Sequence, residues 1–280
     1  MPTDLIDSHV HVWDPTGGYP WLTGPLRRPY RLADLRRSID PDVSVSVILV
    51  EAGRGDPAET SDLLDLAATD PSVAGVVGTA NLQCPGAGGR LEALISRPHG
   101  NYLVGLRERL DGRLIAAVEA VAGQLGEHGL ALEVSCSPKQ FDQVGQLVEV
   151  LGPEVPVVLD HLAGPPAAPQ PTDLLEWWVD GLKDLAALPS VSVKLSGILT
   201  QLTGPASWRV DMVRQAVNIL GPDRTMIGSD WPVCLTGGSW AAAIDTVRAA
   251  LTGCPPADLE RVLAGTARQV FRLGDRRPVV

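Results

Sequence analysis

The chain has 280 residues, 45% hydrophobic and 20% charged, with a net charge of −10. This is the composition of an ordinary globular protein, and its acidic balance speaks against a nucleic-acid partner, which needs a basic patch. Four scattered cysteines without a CxxC pair exclude a disulfide framework. No apolar run nears the roughly 20 residues that span a bilayer. No basic, apolar leader opens the sequence, so no membrane contact and a reducing cytoplasm are expected.

Eight short β-branched runs alternate with helical stretches. The first, residues 5–13, contains His9 and His11, which lie two apart and so share one face of a strand. The second, 43–52, runs into Glu51, and a helical pattern follows over 58–68. The third, 73–82, leads to Asn81 and Gln83, and the fourth, 102–110, carries Arg107, Glu108 and Arg109. Apolar spacing predicts one helix over 113–128, with Gly129 just past its end. The fifth run, 130–136, holds Glu133 and Ser135 and precedes a helix over 141–151. The sixth, 155–161, ends in Asp160-His161, and the proline-rich stretch 165–171 reads as a stiff loop before a helix over 174–188. The seventh, 191–199, carries Lys194 and Ser196 before a helix over 208–220. The eighth, 225–230, ends in Ser229-Asp230, with Trp231 next and a helix over 240–251.

Val and Ile on both faces of these runs indicate a sheet covered on both sides, hence parallel. Eight β–α units predict the α/β class and one (β/α)8 barrel spanning residues 1–280. The runner-up, an open doubly wound sheet, lacks a GxGxxG after the first strand. Its polar residues would also gather at one switch point rather than at many strand ends. In a barrel, the C-terminal strand ends build the site. That would bring His9, His11, Glu51, Arg107, His161, Lys194 and Asp230 to one mouth, where buried polar groups find their partners. Paired imidazoles there make half of a transition-metal site or an acid/base pair. His99 and His128, on a loop and a helix end, are assigned no function.

In this order, the segments Asp7-Ser8-His9-Val10-His11-Val12-Trp13-Asp14-Pro15, Tyr19-Pro20-Trp21-Leu22, Asp160-His161-Leu162-Ala163-Gly164-Pro165, Val193-Lys194-Leu195-Ser196-Gly197 and Gly228-Ser229-Asp230-Trp231-Pro232-Val233 carry a family likeness. The chain resembles the amidohydrolase superfamily over roughly residues 4–270. Within it, the chain is similar to the amidohydrolase-2 group of sugar-lactone and aromatic-lactone hydrolases. The resemblance implies a distorted TIM barrel in which His9, His11 and Asp230 occupy the metal and catalytic positions and His161 is the sixth-strand histidine. It implies one divalent ion, zinc first among the candidates, which some members do without. Two departures matter. Strand five offers Glu133 and Ser135 where a histidine is common, and strand four offers no lysine to bridge two metals. A mononuclear or metal-free site is therefore expected.

Lactone opening needs an activated water, a polarised carbonyl and a proton for the leaving alkoxide. Asp230 is the candidate general base, and His161 and Arg107 complete the catalytic set. The ion would sit on His9, His11 and Asp230, with Glu51 as a further ligand. Arg107 could clamp a substrate carboxylate or hydroxyl pair, and Lys194 supplies a second cation. Either could instead close an ion pair inside the barrel, with Glu133 or Glu108 on offer to Arg107. Trp13 and Trp231 are expected to wall the substrate pocket, as is Trp21. The expected activity is hydrolysis of a lactone of a sugar acid or an aromatic catabolite. The alternatives are non-oxidative decarboxylation of an aromatic acid, which usually goes with a strand-five histidine, and a non-catalytic barrel scaffold. The expected partner is a small molecule, with a homodimer as the default assembly.

Overall fold

In the computed structural model, residues 4–168 and 172–274 are described. Eight strands form one parallel sheet in sequence order: β1 (Leu5–Val10), β2 (Val45–Val50), β3 (Val73–Gly78), β4 (Leu103–Arg109), β5 (Ala131–Ser135), β6 (Val157–Leu159), β7 (Val191–Leu195) and β8 (Thr225–Ile227). Between the last and first strands, Val10 bridges Trp231 in parallel. There the Asp230 amide donates to the His9 carbonyl at 2.9 Å and the His11 amide to the Trp231 carbonyl at 2.7 Å. The result is a nearly closed barrel with helices alternating around it, the TIM architecture that the strand count predicts.

Most strands stop one to three residues before the polar side chains at their C-terminal ends. His11, Glu51, Asp160, His161, Ser196 and Asp230 all lie just beyond paired backbone. In β1 the register against β2 shifts between Asp7 and Val10, so an extra residue is accommodated there. Such a bulge re-aims side chains. Here it lets Ile6 face the lower barrel while His9, three residues on, also points inward.

The helix expected over 113–128 is two helices, Gly112–Glu119 and Ala122–Glu127. Val121, at φ −123° and ψ −2°, breaks the helical backbone yet stays fully buried, so the apolar period runs on across the break. Helix Ala87–Ser96 escapes the periodicity because Gly88 and Gly89 dilute it. Of the proline-rich stretch 165–171, residues 169–171 lie outside the described residues.

Apolar residues fill the space between strands and outer helices. A second, smaller cluster lies inside the barrel. Ile6, Ile48, Val50, Val77, Val104, Ala131, Val158 and Met226 pack on Ala264, Ala267, Val270 and Phe271. The last four come from a C-terminal helical segment, Pro256–Glu260, a π-turn at Arg261–Gly265, and Thr266–Val270 with Phe271 just past its end. The N-terminal end of the barrel is thus stoppered, and the chemistry is left to the other end.

Candidate active site

His9 and His11 meet edge to face, with ring centroids 4.8 Å apart. His11 Nδ1 lies 2.9 Å from the Val50 carbonyl oxygen, which can only accept, so Nδ1 carries the proton and the Nε2 lone pair is free. His9 turns Nδ1 toward Asp160 Oδ1 at 3.4 Å and Glu133 Oε1 at 3.5 Å. Its Nε2 is buried without a hydrogen-bond partner. Asp230 Oδ1 stands 3.9 Å from His9 Nε2 and 3.6 Å from His11 Nε2. Two imidazole lone pairs and one carboxylate therefore converge, each imidazole backed through its other nitrogen by a carboxylate or a carbonyl. That is how ligating histidines are oriented, and an orphaned, buried Nε2 is what a cation would satisfy. Burial holds His9 well below its usual value of 6.5, against the opposing pull of Asp160, so the Nε2 lone pair stays available.

The backbone enforces this convergence. Asp230 sits at φ 59°, in the left-handed region, a conformation that L-residues adopt only when their surroundings impose it. Asp7 supplies part of that imposition, accepting from the Ser229 amide and from Trp240 Nε1 at 2.8 Å each, and from the His9 amide at 3.3 Å. Gly228 must lack a side chain because a Cβ there would come within 2.8 Å of His9 Cβ.

Beneath His9 lies a buried charged floor. Lys194 is fully buried, ion-paired to Glu133 and 3.4 Å from His9 Nδ1. Arg107 spans the opposite side. Its Nε donates to Asp160 Oδ2 at 2.8 Å, Nη1 to Glu51 Oε1 at 3.1 Å and Nη2 to Ser135 Oγ at 3.2 Å. Burial alone would raise the Asp160 carboxyl, but Arg107 and His9 outweigh it and hold Asp160 well below the usual range. Glu133 goes the other way. Burial, then the neighbouring Asp160 charge, push it upward, while the paired Lys194 ammonium opposes them.

His161 completes the ring. Its imidazole centroid is 4.8 Å from that of His9. Ser196 Oγ accepts from the His161 amide at 3.3 Å and lies 2.9 Å from Nδ1. Burial lowers its pKa below 6.5. His161, Leu162 and Ala163 all have positive φ, a strained turn that folds the imidazole back over the barrel. A Cβ at Gly197 would press within 2.8 Å of His161 Nδ1.

Above this ring opens a cavity of about 570 Å³, into which His11, Asp230, His161, Arg107, Glu51 and Trp21 project. Ser135, Glu108, Arg109, Thr79 and Gln201 also line it. Three expected substrate contacts lie elsewhere. Lys194 points down onto the Phe271 ring, 5.4 Å from its centroid, and is walled off by His9 and Glu133. Trp13 lies behind His11, its Nε1 spent on the Leu26 and Arg28 carbonyls. Trp231 is buried edge-on against Tyr30. Trp21 is the tryptophan at the cavity, anchored by Nε1 to the Ala52 carbonyl. Glu51 reaches the cavity but gives one oxygen to Arg107 and the other to the Gly53 amide. Among the described residues, the donor triads that could hold a metal are His9, His11 and Asp230, and His9, Asp160 and His161, neither of which includes Glu51. Sequence reasoning gave no role to Asp160 or Ser196, although same-face alternation with Val158 and Lys194 marks both as inward. Gln201, in a loop, carries no such signal.

The chain matches the amidohydrolase family over residues 6–273. It belongs to that family. This amidohydrolase is 31% identical over 291 residues to the L-fucono-1,5-lactonase of Burkholderia multivorans, covering 96% of each chain. It is 28% identical to the L-fucono-1,5-lactonase of Burkholderia ambifaria, covering 97% of this chain and 96% of the relative. A crystal structure of an amidohydrolase from Burkholderia multivorans with bound zinc is similar at a TM-score of 0.83 and 28% identity, over 96% of this chain and 99% of that one. The chain is thus a hydrolase of the lactonase-like part of the amidohydrolase superfamily. Among the described residues no helix is long and apolar enough to cross a membrane.

Proposed function

We propose that this amidohydrolase opens a lactone of a sugar acid, using one divalent ion, zinc first among the candidates. The observation that carries this is the convergence of His9 Nε2, His11 Nε2 and Asp230 Oδ1 at the base of a polar cavity, with His9 Nε2 otherwise unpartnered. The 31%-identical L-fucono-1,5-lactonase supports the substrate class. So does a lining rich in hydrogen-bonding groups, with Trp21 as a flat wall for a ring.

An ion held by His9, His11 and Asp230 would polarise the lactone carbonyl and lower the pKa of water toward ~7. The chain's own groups do the rest. Asp230 accepts the proton of the attacking water as its oxygen bonds to the carbonyl carbon. The backbone N–H of His161 occupies one lone pair of Ser196 Oγ, and the serine hydrogen turns to Nδ1. His161 Nε2–H then donates a hydrogen bond to the oxygen on which charge develops, and the proton that Asp230 took from the water passes to the departing ring oxygen, which restores the carboxylate. Arg107 lines the cavity, and the Nη2 N–H that Ser135 leaves free holds a substrate oxygen. The ring C–O bond breaks, and the hydroxy acid formed releases one proton at neutral pH.

A pH-indicator screen over aldono-1,5- and 1,4-lactones and aromatic lactones tests this, with CO2 release from aromatic acids followed in parallel. The expected result is proton release from a sugar lactone far above the spontaneous rate. CO2 from an aromatic acid with no lactone opened would overturn it.

A further inference from the structure

The two donor triads share His9 and differ in which neighbours they add. The lower one is backed by Glu133. Glu133 Oε1 and Asp160 Oδ1 lie 3.5 and 3.4 Å from His9 Nδ1, and both are buried without a hydrogen-bond partner. Counted by charge, two carboxylates beside one imidazole make a stronger cation site than the one carboxylate with two imidazoles above. The lower position is already taken by protein charge. Lys194 Nζ pairs with Glu133, stands 3.4 Å from His9 Nδ1 and is fully buried. Arg107 Nε holds Asp160 from the far side at 2.8 Å. A divalent ion among these oxygens would stand beside the ammonium, in a dry interior where like charges repel strongly.

We propose that Lys194 is a built-in substitute for a second divalent cation. Its ammonium, paired with Glu133 beside His9 Nδ1, sits at the edge of the lower donor set and restricts the enzyme to the one ion on His9, His11 and Asp230. This rests on the one-ion reading given above. It makes Lys194 a positioning residue: it holds Glu133 and the Nδ1 side of His9 and never touches substrate. It also explains why a lysine can stand fully buried here, since Glu133 left without it would be an uncompensated charge in the core.

The test counts metal in purified protein dialysed against excess Zn2+, for wild type, Lys194→Met and the double variant Lys194→Met/Glu133→Gln, with thermal midpoints measured with and without chelator. Wild type is expected to hold one ion. Lys194→Met is expected to hold two. With chelator its midpoint should fall by roughly 10 °C more than that of wild type, and Zn2+ should restore it. The double variant, lacking the stranded carboxylate, should return to one ion and lose the extra dependence on Zn2+. A folded Lys194→Met that still holds one ion overturns the proposal. So does a Lys194→Met that cannot fold even in Zn2+-saturated buffer, a wild type that holds two, or a double variant that holds two. A wild-type count of zero contradicts the one-ion reading itself and takes this inference with it, so the two failures are distinguishable.

Discussion

At its N-terminal end the barrel is filled by Ile6, Ile48, Val77 and Met226 packed on Ala267 and Phe271. At its C-terminal end the barrel presents His9, Glu133, Asp160, Lys194 and Asp230, all buried. The change takes two residues: Ala131 gives way to Glu133, and Val158 to Asp160. The seam is visible at Lys194, whose ammonium sits between Glu133 above and the Phe271 ring below. The contrast teaches that the apolar stopper supplies stability and a water-free base, while the charged layer spends some of that stability on chemistry. The two ends should therefore respond differently to substitution.

The largest effect is expected from Asp230→Asn, which should lower kcat/KM by about a thousandfold while leaving the thermal midpoint near that of wild type. Equal losses in both would break the contrast. Phe271→Ala should do the reverse. It should cost about 3–5 kcal/mol by denaturant unfolding, with turnover by the folded fraction little changed.

Asp160 belongs to the charged layer but is held by Arg107, so its removal tests stability and pH together. The folded carboxyl lies well below its unfolded value of 3.8. Below that value the unfolded chain binds the proton first. The stabilisation is therefore complete above pH 3.8 and is lost as pH falls through the lower folded value. Asp160→Asn should cost about 3–5 kcal/mol at neutral pH. Its gap to wild type should shrink on acid titration below pH 4, followed by circular dichroism. A constant gap would show that Asp160 acts by shape alone. The smallest effect is expected at the rim, where Trp21→Ala should raise KM by roughly 2- to 10-fold and leave kcat nearly unchanged.

Much of this was legible in the sequence. Val and Ile on both faces revealed eight parallel strands, and the strand-end positions of His9, His11, His161 and Asp230 revealed a common mouth. What stayed hidden has physical causes. The bulge between Asp7 and Val10 is set by pairing with β2, which no local pattern encodes. Alternation placed Lys194 inside the barrel but could not tell upward from downward, since that depends on Phe271, 77 residues later. Trp13 and Trp21 stand eight residues apart in one loop, and only its folding decides which of them reaches the cavity. Val121 hides a helix break because it is buried in the same stripe as its neighbours.

Anomalous diffraction at the zinc edge, on crystals of the wild-type protein grown with Zn2+, addresses the shared position of the three ligands directly. One peak is expected, about 2.0–2.2 Å from His9 Nε2, His11 Nε2 and an Asp230 oxygen. No peak there, or a peak among Glu133 and Asp160 instead, would contradict it.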